Sequence, residues 1–579
     1  MKTNKFLLIG ATATLSLVGV GCRDTFLEVP VTGQLSNAQL NSKAGIEGSL
    51  IGAYAMLNGR GDRLASFANW VWGGIRGGDA NKGTDPGDYS SINPIQRFET
   101  ISTDDVAGTW QRKYEGIARC NATLRLLTSA GSDVSATDKT RITAETRFLR
   151  GLFYFDLKRL YNNTPYIDET VDYGAGIEKV PNNADLWPKI EADAKFAYDN
   201  LPETQGAVGR VNKWAAASQL AKVYLYQGKY NEAKALFDLI IANGKTSNGK
   251  KYGLVPRYAD LFRGSNDNNE ESVFAIQAAA NTGSTNNANP EFDLNFPYNT
   301  GPNGPGNCCG FNQPSFEYVN SFRTNANGLP LLDGSYNSAA NEVKNDMGVL
   351  SKDAFTPDAG NLDPRLDHTV GRRGIPYLDW QDHPGADWIR NQPNGGPYSP
   401  KKFTYYKSDR GSLQDNSSWT PGYTAVNFPI IRFADVLLMA AEAEIEVGSL
   451  AKAREYTNLV RARAANPAGF VTRTGGAAAA KYVISEYPAT EFATKELARR
   501  AVRFERRLEL GDEGHRFFDL VRWGIAEQTI NAYLTYEGTK LPTTLGGARF
   551  TPKQDEYLPI PQAQIDIQGS DILKQNPGY

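Results

Sequence analysis

Histidine, cysteine and methionine are scarce in this chain, with three, four and four copies among 579 residues. His368, His383 and His515 stand in unrelated contexts and form no HExxH or other zinc spacing, which argues against a metal enzyme. A nucleophile elbow of the form Gly-x-Ser-x-Gly is missing too. The segment Gly244-Lys-Thr-Ser-Asn-Gly249-Lys250-Lys251 approaches a phosphate loop, but it ends in Lys where Ser or Thr should meet magnesium, and it follows a helix. It reads as a helix-capping turn. An excess of one charge is also lacking: 62 basic against 64 acidic side chains leave a net charge of -2, so there is no electrostatic footprint for nucleic acid or an anionic surface. No Pro/Ser linker or charge block divides the chain, which favours one large body or closely packed subdomains.

What is present begins with a signal. Lys2 and Lys5 precede an apolar run from Phe6 to Val20 that is too short for a good transmembrane helix, and small Gly19 and Gly21 lead into Cys22. This predicts a lipoprotein signal peptide over 1–21, with Cys22 lipidated as the first mature residue. The Leu usual three residues before such a cysteine is replaced by Gly19; a secreted protein cleaved near Gly21, with Cys22 a free thiol, is the alternative. Cys120 follows Trp110 and Tyr114 in a helical pattern and reads as a small core residue. Cys308 and Cys309 are adjacent in a glycine-rich stretch, and in an oxidising compartment they either close a vicinal disulfide or stay reduced.

The clear periodicity is helical. From Trp214, apolar residues at Ala217, Leu220, Ala221, Tyr224 and Leu225 form one stripe ending at Gly228, and a second helix carries Ala233, Phe237 and Ile240 up to Gly244. The pair fits the tetratricopeptide pattern, with Lys245 in place of its proline. The layout returns at 430–465, where Phe433, Val436, Leu437, Ala440 and Ala441 precede a turn at Gly448 and a helix with Ala453 and Val460 inward. Further helices are expected at about 37–57, 104–130, 137–161, 184–201, 491–510 and 513–528. Helix pairs that cannot bury their faces alone must stack. The expectation is a mainly α fold, a tetratricopeptide-like helical scaffold over about 37–244 and 430–530, with a loop-rich insertion over about 245–429 whose length points to a function.

Arg503, Glu505, Arg506, Arg507, Glu509, His515, Arg516, Asp519 and Arg522 crowd together and look catalytic. The steps Arg516 to Asp519 and Asp519 to Arg522 are, however, i,i+3 spacings on one helix, which favours a structural ion-pair network. Carboxylates are too plentiful for any two to stand out as a glycosidase acid and base.

Several segments taken as a set resemble the SusD/RagB family of outer-membrane nutrient-binding lipoproteins. They are Arg432-Phe-Ala-Asp-Val-Leu-Leu-Met-Ala-Ala-Glu-Ala443, Asn458-Leu-Val-Arg-Ala-Arg-Ala464, Glu505-Arg-Arg-Leu-Glu-Leu510, Gly514-His-Arg-Phe-Phe-Asp-Leu-Val-Arg-Trp-Gly524, Tyr557-Leu-Pro-Ile-Pro561 and the ending Gln575-Asn-Pro-Gly-Tyr579. The stretch Arg23-Asp-Thr-Phe-Leu-Glu-Val-Pro30 is similar to that family's mature start. The resemblance implies a single body over 22–579, anchored to the outer membrane, whose loop-rich insertion forms the ligand face and which binds an oligosaccharide and delivers it to a SusC-type TonB-dependent transporter. It implies no cofactor and no covalent chemistry. Peptide capture of the RagB kind is the runner-up, and a glycoside hydrolase is the rival from the enzyme class.

Sugar capture needs flat aromatic faces for C–H surfaces and planar amide, carboxylate or guanidinium groups for hydroxyls. Two loop segments supply that mixture: Asn69, Trp70, Trp72, Arg76, Asp79 and Lys82, then Trp380, Asp382, His383, Asp387, Trp388 and Arg390. Each aromatic either presents its ring to ligand or anchors its loop in the core. The loop with Cys308, Cys309, Phe311 and Asn312 falls where the family commonly builds part of its ligand face, and a vicinal disulfide there would offer a rigid apolar plate.

Overall fold

The computed structural model describes residues 35–579 apart from Asn307 and Ser418. The signal over 1–21, Cys22 and the segment Arg23–Pro30 lie outside the described residues. Helices of seven or more residues run in chain order α1 (Lys43–Tyr54), α2 (Ala107–Thr128), α3 (Ala136–Tyr161), α4 (Trp187–Asn200), α5 (Lys213–Tyr226), α6 (Tyr230–Asn243), α7 (Phe433–Val447), α8 (Leu450–Ala464), α9 (Lys495–Leu510), α10 (Arg516–Arg522), α11 (Ala526–Lys540) and α12 (Gln562–Gln568). Among the described residues, no helix is long and apolar enough to cross a membrane.

The two helical hairpins form where their periodicity places them. Asn212 caps α5 by accepting from the Ala215 N–H at 2.9 Å, and the stripe from Trp214 to Leu225 is buried except for the half-buried Tyr224. Gly228 turns the chain at φ 69°, a left-handed conformation that favours glycine, and α6 follows with Ala233, Phe237 and Ile240 inward. In the second hairpin Ser449 caps α8. Neighbouring helices from α1 to α9 stack through one continuous apolar core. The helix expected at 513–528 is instead two, α10 and α11, because Gly524 adopts φ 67° and breaks the first.

The insertion is built of short turns and ladders. Strands of four or more residues are β1 (Ala80–Gly83), β2 (Ser272–Ile276), β3 (Phe311–Pro314) and β4 (Phe428–Arg432). β1 pairs antiparallel with β3, Ala80 opposite Pro314 and Gly83 opposite Phe311; β2 pairs antiparallel with β4, which runs straight into α7. Aromatics of the insertion reach the scaffold core: the rings of Phe292 and Phe403 stack at 4.6 Å, with Phe428 5.1 Å from Phe403. Many aromatics that composition assigned to loops are therefore core residues.

Buried ion pairs fasten insertion to scaffold. Arg432 binds Glu271 at 2.8 Å, Glu509 at 2.7 Å and Glu513 at 2.8 Å, while Arg365 binds Asp363 at 2.8 Å, Glu505 at 2.7 Å and Glu509 at 3.0 Å. Arg461 adds Glu505 at 2.8 Å, and Arg506 joins Asp435 at 2.7 Å to Asp519 at 2.9 Å. The charged run is thus structural, with most of its partners supplied from outside it. Arg516 departs from its expected i,i+3 pair: Arg506 and Arg522 hold the Asp519 carboxylate, and the Arg516 Nε has no hydrogen-bond partner.

A close backbone approach ties the N-terminal part to the turn between α9 and α10. A Cβ on Gly73 would collide with the backbone of Gly514, which itself adopts φ 74°. Gly73→Ala is expected to lose about 1–3 kcal/mol of stability by overpacking, read as a lower urea midpoint with an unchanged slope.

Candidate functional site

The first predicted segment is interior. Residues Trp70–Ile75 form a turn of π-helix, wholly buried. Trp70 and Trp72 are 1% and 0% exposed, and the Trp72 indole N–H donates to the Leu64 carbonyl at 2.7 Å. Asn69, at φ 49°, donates to the Phe67 carbonyl at 3.2 Å and to Asp156 at 3.3 Å. Arg76 is buried, donates to the Asp555 carbonyl at 2.6 Å and lies 4.3 Å from the Phe517 ring centroid; burial pushes its pKa down. Asp79 accepts from the Asp512 N–H at 3.1 Å, and burial pushes its pKa up to about 6. Lys82 donates to the carbonyls of Asp85 at 2.9 Å and Asp88 at 2.8 Å. The expectation that this segment faces ligand is corrected: protein occupies both faces of its rings, and its polar groups bind backbone and buried acids.

The second segment divides. Trp388 is buried, 5.6 Å from the Tyr377 ring centroid and 5.2 Å from His383, whose Nε2 lies 2.9 Å from the Ser399 hydroxyl. Trp380 is half-buried and donates to the Tyr405 carbonyl at 3.2 Å. Asp382 and Asp387 are exposed, Asp382 pairing with Arg473 at 3.0 Å. Arg390 also reaches the surface, where it binds Asp85 and Asp88 at 2.5 Å each and lies 5.6 Å from the Tyr298 ring. Beside this bridge a cleft of about 320 Å³ is lined by Pro86, Asn93, Gln96, Arg97, Asn391 and Asn394. Its amides and guanidinium suit hydroxyl groups.

In the third segment Cys308 and Cys309 are joined by a disulfide, Cys308 half-buried and Cys309 buried. Phe311 is buried, with its ring edge-on to Tyr89 at 6.3 Å. Asn312 is also buried, at φ 54°, and donates to Asp512 at 2.5 Å; burial raises the Asp512 pKa to about 7. Of these four residues, Cys308 is the one that is not buried.

Near it the fold assembles a group that periodicity did not single out. Arg63 grips Asp293 through two bonds of 2.5 and 2.6 Å across 230 residues of sequence. Tyr423 lies beside the Asp293 carboxylate and Trp419, and burial, with the charge of Asp293, raises its pKa. Trp419 is 61% exposed, which leaves the apolar surface of its ring in water. Its loop is braced by Asp415, which accepts from the N–H groups of Asn281 at 2.9 Å and Ser417 at 2.8 Å. Tyr89 lies in the field of Arg63 and Asp293. The sequence signal for Trp419 is its setting: Asn416-Ser-Ser-Trp419-Thr-Pro-Gly422 has polar and turn residues on both sides and no apolar neighbour to draw the ring inward.

Two residues before Asp293, Glu291 is buried, with no other residue hydrogen-bonded to its carboxylate, and burial pushes its pKa up to about 8. A carboxyl whose pKa is higher folded than unfolded leaves stability intact below about pH 4.5 and removes it as pH rises through the folded value. The melting temperature is therefore expected to fall between pH 5 and pH 8. Glu291→Gln should reduce that slope, giving a variant more stable than wild type at pH 8 and not at pH 5.

Fold and face together define a class: a stacked helical-hairpin scaffold carrying a loop-built surface with an exposed indole. A family model described as "SusD family" matches residues 270–579, more than half of the chain, and this chain belongs to that family. A second model, described as "Starch-binding associating with outer membrane", matches residues 77–225. The chain is 25% identical over 596 residues to SusD-like protein P2 of Formosa agariphila, with all of both chains covered, and 29% identical over 283 residues to a SusD-like protein of Bacteroides ovatus, covering 47% of this chain and 50% of that one. Among solved structures it is similar to a laminarin-binding SusD-like protein (TM-score 0.64, 24% identity, 93% and 100% covered). It is also similar to surface glycan-binding protein A of Bacteroides thetaiotaomicron in complex with laminarihexaose (TM-score 0.61, 21% identity, 92% and 99% covered). The architecture is mainly α and tetratricopeptide-like, as expected from the hairpin spacings.

Proposed function

We propose that this protein captures an oligosaccharide at the cell surface and passes it to a SusC-type TonB-dependent transporter in the outer membrane, without chemistry on the sugar. The observation that carries this reading is Trp419, an indole 61% exposed on a loop that Asp415 braces through the N–H groups of Asn281 and Ser417. Such a ring stacks on the C–H face of a pyranose, while the Cys308–Cys309 disulfide and the amide-lined cleft beside Arg390 offer an apolar plate and hydroxyl partners. Membership of the SusD family, and glycan-binding structural neighbours, support the same reading.

Calorimetry with a panel of plant, fungal and host oligosaccharides, laminarihexaose included, is the test. Saturable heat with no product on chromatography is expected. Release of shorter sugars would overturn the non-catalytic reading, and binding confined to peptides would replace sugar by peptide capture.

Attachment through Cys22 belongs to the same proposal, because a lipid tether keeps the protein beside its transporter. Metabolic labelling with palmitate is expected to mark the wild type and not Cys22→Ala. Equal labelling of both would remove the anchor from this position.

A further inference from the structure

We propose that a pocket on the helical scaffold binds a single ring bearing a carboxylate. It lies where the end of α3, the start of α4, the end of α5 and α10 meet the C-terminal segment, has a volume of about 150 Å³, and is lined by Lys158, Arg159, Trp187, Tyr226, Arg522 and Tyr557. A protein cavity of roughly this volume accommodates benzene, so one ring is the size it takes. No residue is shared with the face around Trp419, and the inference stands apart from the oligosaccharide reading.

The walls are aromatic and the lining is cationic. The Trp187 and Tyr226 rings lie 6.2 Å apart at 49°, the Lys158 ammonium is 5.9 Å from Trp187, and the Arg522 guanidinium is 5.4 Å from Tyr226. The acids that meet these cations are shared. Asp156, which binds Arg159, also serves Lys113 at 2.6 Å; Asp519, which binds Arg522 at 2.8 Å beside Glu442 at 2.7 Å, also serves Arg506 at 2.9 Å. Lys158 pairs with the exposed Asp185 at 3.1 Å and donates to the amide oxygens of Asn162 at 2.9 Å and Asn163 at 3.0 Å.

Donors remain unmet. Among the described residues, nothing accepts from the Trp187 indole N–H or the Tyr557 hydroxyl. A neutral apolar ring would cover both without accepting from either. A carboxylate supplies acceptors for them, while the ring that bears it lies against Trp187 and Tyr226.

The ring can come from an aromatic acid or from a uronic acid, and one experiment separates them. Benzoate and glucuronate are titrated into the full chain by ligand-observed NMR, each beside its neutral counterpart, benzyl alcohol or glucose. At least one acid is expected to bind with a dissociation constant of about 1 mM and at least about tenfold more tightly than its neutral partner. Preference for glucuronate identifies a sugar acid, preference for benzoate an aromatic acid, and both support the proposal. Trp187→Ala is expected to weaken binding about fivefold and Tyr557→Phe about threefold, whereas Trp419→Ala leaves it unchanged. The proposal is overturned if neither acid binds by about 20 mM, if the neutral compounds bind equally, or if both pocket variants keep wild-type affinity.

Discussion

Glu509→Ala is expected to destabilise the fold by about 3–5 kcal/mol, read as a lower urea midpoint, with the loop-rich insertion loosening from the helical scaffold. Glu509 is fully buried and accepts from three guanidiniums: Arg432 at 2.7 Å, Arg365 at 3.0 Å, and Arg463. Burial alone would raise its pKa. Arg463, Arg432 and Arg365 override that and hold it at about 2. Removing the carboxylate strands buried positive charge on α8, β4 and the insertion, with no water to solvate it. The same pairing sets an acid limit. A carboxyl with a lowered folded pKa contributes stability above its unfolded value of about 4.5 and loses it as pH falls toward 2, so wild type is expected to lose stability steeply below pH 4.5. Glu509→Ala should lose less over that range. A variant with wild-type stability would show that the network does not hold the two parts together.

Trp419→Ala is expected to weaken oligosaccharide binding by about 2 kcal/mol, about thirtyfold, while leaving the melting temperature unchanged. The estimate takes roughly 80–100 Å² of indole surface covered by one sugar at about 25 cal/mol per Å². Because the ring is 61% exposed, its loss opens no cavity. Trp70→Ala should behave oppositely, costing about 3–5 kcal/mol of stability from a side chain that is 1% exposed. Isothermal titration beside thermal melts separates the two. Unchanged affinity in Trp419→Ala would remove this ring as the stacking platform.

The contrast between these tryptophans marks how far the sequence could be read. Trp70, Trp72 and Trp388 sit beside apolar neighbours, Val71, Ile75 and Ile389, which supply the partners that draw them inward. Composition placed all of them in loops, and a loop aromatic has no period to tell its buried side from its open one. The site around Trp419 was harder still to foresee, because Arg63 and Asp293 are 230 residues apart and Asn281 and Asp415 134 apart. The ion network was legible as structure from its i,i+3 steps. Its partners Arg365, Arg432, Glu317 and Glu442 come from elsewhere in the chain, and no local spacing points to them.

By itself, the sequence determined the helical hairpins at 213–243 and 433–464, with their caps and turns at Asn212, Gly228 and Ser449, because an amphipathic stripe and its stop signals are local properties of a few consecutive residues. It also determined that the crowded Arg, Glu and Asp of 499–522 would form structural ion pairs, but not which partners they take, most of which lie outside the run. The tertiary structure alone decided which aromatic rings face water and which fill the core. That choice depends on close approaches such as Gly73 against Gly514, and on bonds between residues hundreds of positions apart, which exist only once the insertion has docked onto the helices.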